Sequence, residues 1–156
     1  MAMLLRSASR RSGLVFATVG LLCLTGNGTA TAAPSSGEIK NLKTTWCVDD
    51  SNLGLRAHPC NGYPFQNWIY KPASNGNVGL KNASTDRCLD DSVNGLQAIV
   101  CNGLPFQRWK LVLDSKKWAF TFVNEETGRC LDDSINGLKT LDCNYSDFQK
   151  FKWQGQ

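Results

Sequence analysis

From residue 38 onward, apolar positions come in short runs separated by clusters of Asn, Gly, Asp and Pro. In the middle of the chain these runs are Val78–Lys81, Arg87–Asp90, Leu96–Val100 and Gln107–Leu113. Runs of this length, recurring every roughly 8–12 residues and bounded by turn formers, predict short strands. No stretch keeps a helical period. The N-terminus follows a different pattern. Arg6, Arg10 and Arg11 precede the apolar run Leu14–Leu24, and Ala30-Thr31-Ala32 follows it. A basic segment, an apolar segment and a small-x-small triplet predict an export signal over residues 1–32. Cleavage is placed after Ala32, because a cut after Ala33 would set Pro34 against the scissile bond. A short N-terminal segment, 33–37, would then lead into a folded region over 38–156. The apolar run is too short to span a bilayer.

The polar punctuation is itself periodic. Segments 46–68, 87–109 and 129–151 read WCVDDSNLGLRAHPCNGYPFQNW, RCLDDSVNGLQAIVCNGLPFQRW and RCLDDSINGLKTLDCNYSDFQKF. Ten of their 23 columns are identical in all three, with no gap. Asn41, Asn82 and Asn124 each stand six residues before the first cysteine of a segment, and the apolar Ile39, Leu80 and Phe122 stand two residues earlier still. A period near 40 residues means a repeat architecture. Its units are about 38–79, 80–121 and 122–156, with about four strands each and about twelve in all. A unit of that size cannot bury a core alone. Three are too few for a propeller, and the chain lacks the polar caps of an open solenoid. The units therefore close on one another around a threefold axis.

Composition narrows the function classes. With 42% hydrophobic and 10% aromatic residues, the chain is not a disordered one. The net charge of +4 suggests an acidic partner until it is apportioned. Three arginines and no acid lie in the export signal, which leaves 14 basic against 13 acidic residues, a net of +1, for the rest. A nucleic-acid binder needs a concentrated basic surface, so nucleic acid is not an expected partner. Of the seven cysteines, Cys23 lies in the signal, and the other six are even in number, as befits an oxidising compartment. Their spacing is wrong for zinc, and His58 is the single histidine. No metal or other cofactor is expected.

Three repeats of this length, each with an apolar-Asp pair after its first cysteine and a Gln-x-Trp near its end, resemble the ricin B-chain type lectins. The Gln-x-Trp elements are Gln66-Asn67-Trp68, Gln107-Arg108-Trp109 and, with Phe for Trp, Gln149-Lys150-Phe151. The resemblance covers residues 38–156 and implies an all-β fold, a β-trefoil in which a strand barrel is closed by a triangular cap. Each repeat then forms a lobe with its own potential sugar site. Within such a fold the equal spacing of the cysteines selects one pairing of 15, namely Cys47–Cys60, Cys88–Cys101 and Cys130–Cys143. Trp68, Trp109 and Phe151 are expected in the core, and Gly54, Gly95 and Gly137 in turns that start a strand.

The resemblance assigns sugar binding to the first Asp of each Asp-Asp-Ser triplet: Asp49, Asp90 and Asp132. A carboxylate offers two acceptor oxygens to neighbouring hydroxyls through strong charge-assisted bonds. Gln66, Gln107 and Gln149 are expected to orient backbone or the neighbouring Asp, and the resemblance implies that they hold those carboxylates in place. The second Asp and the Ser are expected to bond nearby backbone amides in a turn. The sequence also departs from the family pattern. Two residues before the second cysteine, where a stacking ring is usual, stand His58, Ile99 and Leu141. Before the Gln, where Asn is usual, stand Phe65, Phe106 and Phe148. Four residues before the second cysteine stand Arg56, Gln97 and Lys139. Either the three Phe rings take over stacking from the other wall, or the pockets have lost sugar. The polar set is fullest in the middle lobe and poorest in the third.

No catalytic constellation is visible. No nucleophile stands beside a base, and the two carboxylates of an Asp-Asp pair point to opposite faces of a strand, so they cannot flank one bond. The expectation is a secreted, monomeric, non-enzymatic carbohydrate-binding module with up to three shallow, weak sites for a polysaccharide or cell-surface glycan. A different class, an extracellular protein-binding trefoil acting as an inhibitor or toxin accessory chain, would show one long distinctive loop. The near-gapless repeats speak against it.

Overall fold

The structure, a computed structural model, describes residues 36–155. The expected export signal lies outside the described residues, as do residues 33–35. Twelve strands follow one another in the order of the repeats. The first, β1 (Ser36–Asn41), starts two residues ahead of the expected boundary. The first repeat continues with β2 (Trp46–Ser51), β3 (Gly54–Pro59) and β4 (Asn67–Pro72). The second contributes β5 (Val78–Asn82), β6 (Arg87–Ser92), β7 (Gly95–Val100) and β8 (Trp109–Asp114). The third contributes β9 (Ala119–Asn124), β10 (Cys130–Ser134), β11 (Gly137–Leu141) and β12 (Phe151–Gly155).

Antiparallel pairing runs β1 to β4, β4 to β5, β5 to β8, β8 to β9, β9 to β12 and β12 back to β1. This closes a barrel and removes every sheet edge within it. The remaining strands form three hairpins, β2–β3, β6–β7 and β10–β11. They touch one another across the cap. The threefold closure expected from the repeats and the all-β trefoil implied by the resemblance are the fold.

The hairpin turns are built by sequence. In each, the chain passes from Ser through two residues to a glycine at φ +85°, +82° or +85° (Gly54, Gly95, Gly137). A side chain would be strained there, and the glycine is not. Gly37 is fixed for another reason: β1 lies so close to β12 that a Cβ at this position would stand 2.4 Å from the Gln154 carbonyl oxygen. The strand expected over Gln107–Leu113 starts later, at Trp109. Pro105 opens a 3-10 turn, Pro105–Gln107, and Pro64–Gln66 and Asp147–Gln149 repeat it. Proline's fixed φ suits the first position of such a turn.

The core is one cluster built of three repeat-related triads, with Val78 beside them. Ile39, Leu80 and Phe122 form one, Val48, Leu89 and Leu131 the second, and Trp68, Trp109 and Phe151 the third; all nine are 0–1% exposed. The register of the repeats anticipates the first and third. The third repeat replaces Trp by Phe and compensates nearby, since Phe122 stands where the others have Ile or Leu. Phe122 meets Phe151 edge to face, centroids 5.9 Å apart. Core volume is thus conserved across the repeats. The indole nitrogens of Trp68 and Trp109 donate to the carbonyls of Val48 (2.9 Å) and Leu89 (3.1 Å), so neither buried N–H is left without a partner.

The disulfides are Cys47–Cys60, Cys88–Cys101 and Cys130–Cys143, each within one repeat as expected. Each ties the start of a cap hairpin to the loop behind it. Closing a loop of this length stabilises by roughly 3 kcal/mol on the chain-entropy estimate.

Candidate functional site

Within each cap hairpin, residues directly opposite share a face. Asp49 lies opposite Arg56, Asp90 opposite Gln97 and Asp132 opposite Lys139. One step along the same face, Cys47 lies opposite His58, Cys88 opposite Ile99 and Cys130 opposite Leu141. The hairpin register therefore brings the three expected carboxylates beside the variable residues flagged by their spacing. Asp49, Asp90 and Asp132 are only 3%, 2% and 1% exposed. Each is covered or held locally. Arg56 Nε donates to Asp49 at 3.3 Å, Gln97 Nε2 to Asp90 at 3.2 Å, and the Ser134 amide to Asp132 at 2.9 Å. Half-buried Arg56, His58 and Gln97 form the accessible rim.

Gln66, Gln107 and Gln149 do not hold these carboxylates. Each side chain is 0–2% exposed and bonds backbone at both ends. Gln66 accepts from the Asn61 amide (2.8 Å) and donates to the Pro59 carbonyl (3.1 Å). Gln107 does the same with Asn102 (2.8 Å) and Val100 (3.0 Å), and Gln149 with Asn144 (2.8 Å) and Asp142 (3.0 Å). The physical reason is the 3-10 turn. It carries the Gln inward beneath the loop after the second cysteine, where buried amides and carbonyls need partners. A glutamine spent in this way cannot reach a ligand.

The second Asp of each triplet also departs from expectation. It makes no turn with nearby amides and instead joins one repeat to the next. Asp50 receives Thr85 Oγ1, Arg87 Nε (3.0 Å) and Arg87 Nη2 (2.5 Å). Asp91 receives Thr127 Oγ1 (2.5 Å), Arg129 Nε (3.1 Å), Arg129 Nη2 (2.6 Å) and Thr140 Oγ1 (2.7 Å). Both carboxylates are fully buried, and both guanidinium forks are bidentate. Asp133 receives Thr44 Oγ1 alone, because Trp46 occupies the arginine's column. Of the three serines only Ser51 keeps the local role, its Oγ accepting from the Leu53 amide at 3.3 Å, while Ser92 Oγ accepts from Gln97 Nε2 at 3.0 Å.

Asn41, Asn82 and Asn124 form a second set of locks. Each Oδ1 accepts amides two and three residues ahead, as in Lys43 (2.8 Å) and Thr44 (3.0 Å) for Asn41. Each Nδ2 donates at 2.7 Å to the carbonyl of Phe148, Phe65 or Phe106. The three phenylalanines that replace the family's Asn are thus anchored by their backbone, with partly exposed rings beside the cap. The six-residue spacing from Asn to Cys was a visible signal for these locks, but its meaning needs the junctions between repeats.

Among the described residues, one group of metal-type donors lies close together: Glu38, Cys47 and Cys60. Both sulfurs are tied in a disulfide, so the group offers no thiolate. Among the described residues no helix is long and apolar enough to cross a membrane.

The architecture is shared with known proteins. No curated protein matches the chain significantly. Among solved structures, the designed threefold-symmetric protein ThreeFoil superposes with a TM-score of 0.70 at 16% identity, over 78% of this chain and 99% of that one. SeviL, solved with asialo-GM1 saccharide bound, gives 0.68 at 12% identity, over 79% and 98%. The Haemophilus ducreyi cytolethal distending toxin gives 0.66 at 17% identity, over 79% and 85%. At these identities the likeness is one of fold. The sequence profile of the ricin-type β-trefoil lectin domain matches residues 35–151. With that match, a gapless threefold repeat and the barrel-and-cap fold in place, the chain belongs to the ricin-type β-trefoil lectin domain family.

Proposed function

We propose that the protein is a secreted carbohydrate-binding module that engages a polysaccharide or dense surface glycan through up to three weak sites on its cap hairpins. The observation that carries this reading is the repeated carboxylate face: Asp49 with Arg56 and His58, Asp90 with Gln97, Asp132 with Lys139. Family membership and the saccharide-bound SeviL, which shares the fold, support it. The three disulfides suit an extracellular setting. Because each carboxylate lies under its neighbour, only one edge meets a ligand, and the rim supplies the rest. Phe65 and His58 give the first lobe its aromatic surfaces, and Gln97 adds an amide in the second. Sites this shallow bind single sugars at about the millimolar level, near −4 kcal/mol. Three on one rigid body gain useful strength only against a repeating ligand. In this reading the protein is a monomer and acts by binding alone.

The test is retention on immobilised polysaccharides and a glycan array, comparing wild type with Asp49→Ala, Asp90→Ala and Asp132→Ala combined, after circular dichroism shows that the variant is folded. Retention of the wild type and its loss in the variant is the expected result. Equal retention of a folded variant would make the carboxylates structural. A wild type that binds no glycan and captures an extracellular protein would replace this reading by the protein-binding one.

A further inference from the structure

Threefold repetition makes the three junctions between repeats a controlled comparison. In two of them a buried aspartate is closed by an arginine fork and a threonine hydroxyl: Asp50 by Arg87 and Thr85, Asp91 by Arg129 and Thr127. In the third, Asp133 keeps the threonine, Thr44, and lacks the arginine. Asp133 is nevertheless only 3% exposed, and its Oδ1 has no donor among the described residues. Trp46, in the arginine's column, is 45% exposed. Beside it opens a cavity of about 410 Å³, lined by Thr44, Trp46, Asp133, Ile135, Gly137 and Phe148. Burial pushes the Asp133 carboxyl up from its ordinary range and the neighbouring Asp132 adds to this, while the Thr44 bond opposes it.

We propose that this junction is a binding site for a small organic cation, a guanidinium or ammonium group, which completes from outside the clamp that an arginine makes within the other two junctions. In the sister junctions a guanidinium fork sits on the corresponding carboxylate alongside the corresponding threonine hydroxyl. The Trp46 ring adds a π face for the cation or for the ring that bears it. A charge-assisted bond to a nearly dry carboxylate is the strong kind. The site is distinct from the proposed sugar faces. Its carboxylate is Asp133, whereas Asp132 points to the other face of β10, opposite Lys139. The cation can come from an amino sugar with a free amine or from a basic side chain of a peptide, and the same site serves both.

The test is titration of the oxidised protein, followed by indole fluorescence and by the NMR signals of Trp46. The probes are ethylguanidinium chloride, glucosamine hydrochloride and, as a neutral control, N-acetylglucosamine. Both cations are expected to bind one to one, at least tenfold more tightly than the control, and to weaken as pH falls and Asp133 is protonated. Asp133→Asn should weaken them at least tenfold. Trp46→Arg should abolish binding and raise Tm by about 3 °C or more, since it supplies the missing fork from within. Tighter binding of ethylguanidinium points to a peptide source, and tighter binding of glucosamine to a deacetylated sugar. Equal binding of charged and neutral probes, or cation binding that survives both variants, overturns the proposal. Because the Asp49, Asp90 and Asp132 triple variant leaves Asp133 intact, loss of polysaccharide retention there with cation binding kept separates this site from the sugar faces.

Discussion

Replacing Trp109 by Ala is expected to destabilise the protein by about 3–5 kcal/mol, among the larger costs a single core truncation brings. The ring is fully buried within the Trp68, Trp109 and Phe151 triad on the pseudo-threefold axis. Removing it empties a large volume that the flanking strands cannot fill, since β8 is held on one side by β9 and on the other by β5. It also strands the Leu89 carbonyl, which accepts the indole N–H at 3.1 Å. Urea unfolding at neutral pH, disulfides intact, measures the effect. With a slope of about 1–3 kcal/mol per molar, the midpoint should fall by one to several molar. Trp109→Phe should cost clearly less, because Phe already serves at residue 151. It should still cost something, because Phe151 is matched by the larger Phe122 while Trp109's repeat has Leu80. A loss below about 1 kcal/mol for Trp109→Ala would mean that the axis is packed by other side chains.

The repeat made the fold legible. Once cysteine, glycine and Gln-x-Trp columns align without gaps, strand number and the core triad follow from the requirement that three small units bury one another, and the disulfide pairing from the equal cysteine spacing within the trefoil that the resemblance implies. What was hidden is what lies between repeats. The sequence shows Asp-Asp-Ser three times in one register, and nothing local tells which carboxylate faces the hairpin and which the next repeat. The second Asp looked like a turn residue because its true partners are more than 30 positions away: Thr85 and Arg87 for Asp50, Thr127 and Arg129 for Asp91. For Gln66, Gln107 and Gln149 two partners were open, backbone or the neighbouring Asp, and the resemblance pointed to the sugar carboxylates. The 3-10 turns carry them under a loop instead, where backbone groups claim both ends of the amide. Trp46 carried a signal in plain view, since the columns that read Arg87 and Arg129 read Trp there. Its meaning appears only when Asp133 is found buried beside it.

Arg87→Ala turns the first junction into a copy of the third, and it is expected to destabilise the protein by about 2–3 kcal/mol at neutral pH. Asp50 is fully buried and would keep only the Thr85 hydroxyl. Leaving a buried charge without its partner costs about 3–5 kcal/mol. The Arg87 side chain is 36% exposed, so water takes over part of its role and reduces the figure. Arg129→Ala should cost less, because Asp91 also receives Thr140 Oγ1 at 2.7 Å, a hydroxyl whose column holds alanine (Ala57, Ala98) in the other repeats. The Asp133 junction shows how a carboxylate without its arginine responds: burial raises its carboxyl, so the folded protein binds a proton more readily there than the unfolded chain does. A raised carboxyl makes stability fall as pH rises from the ordinary carboxylate range, about 3.9, through the raised value. Arg87→Ala leaves Asp50 in the same setting, buried with one threonine hydroxyl and no arginine. The gap between wild type and Arg87→Ala should be widest near pH 7 and narrow toward pH 3, where the stranded carboxylate is neutral. Urea midpoints at both pH values measure it. A penalty that is the same at pH 3 and pH 7 would mean that Arg87 contributes through the packing of its aliphatic stem, and that the fork to Asp50 adds nothing to the closure of the trefoil.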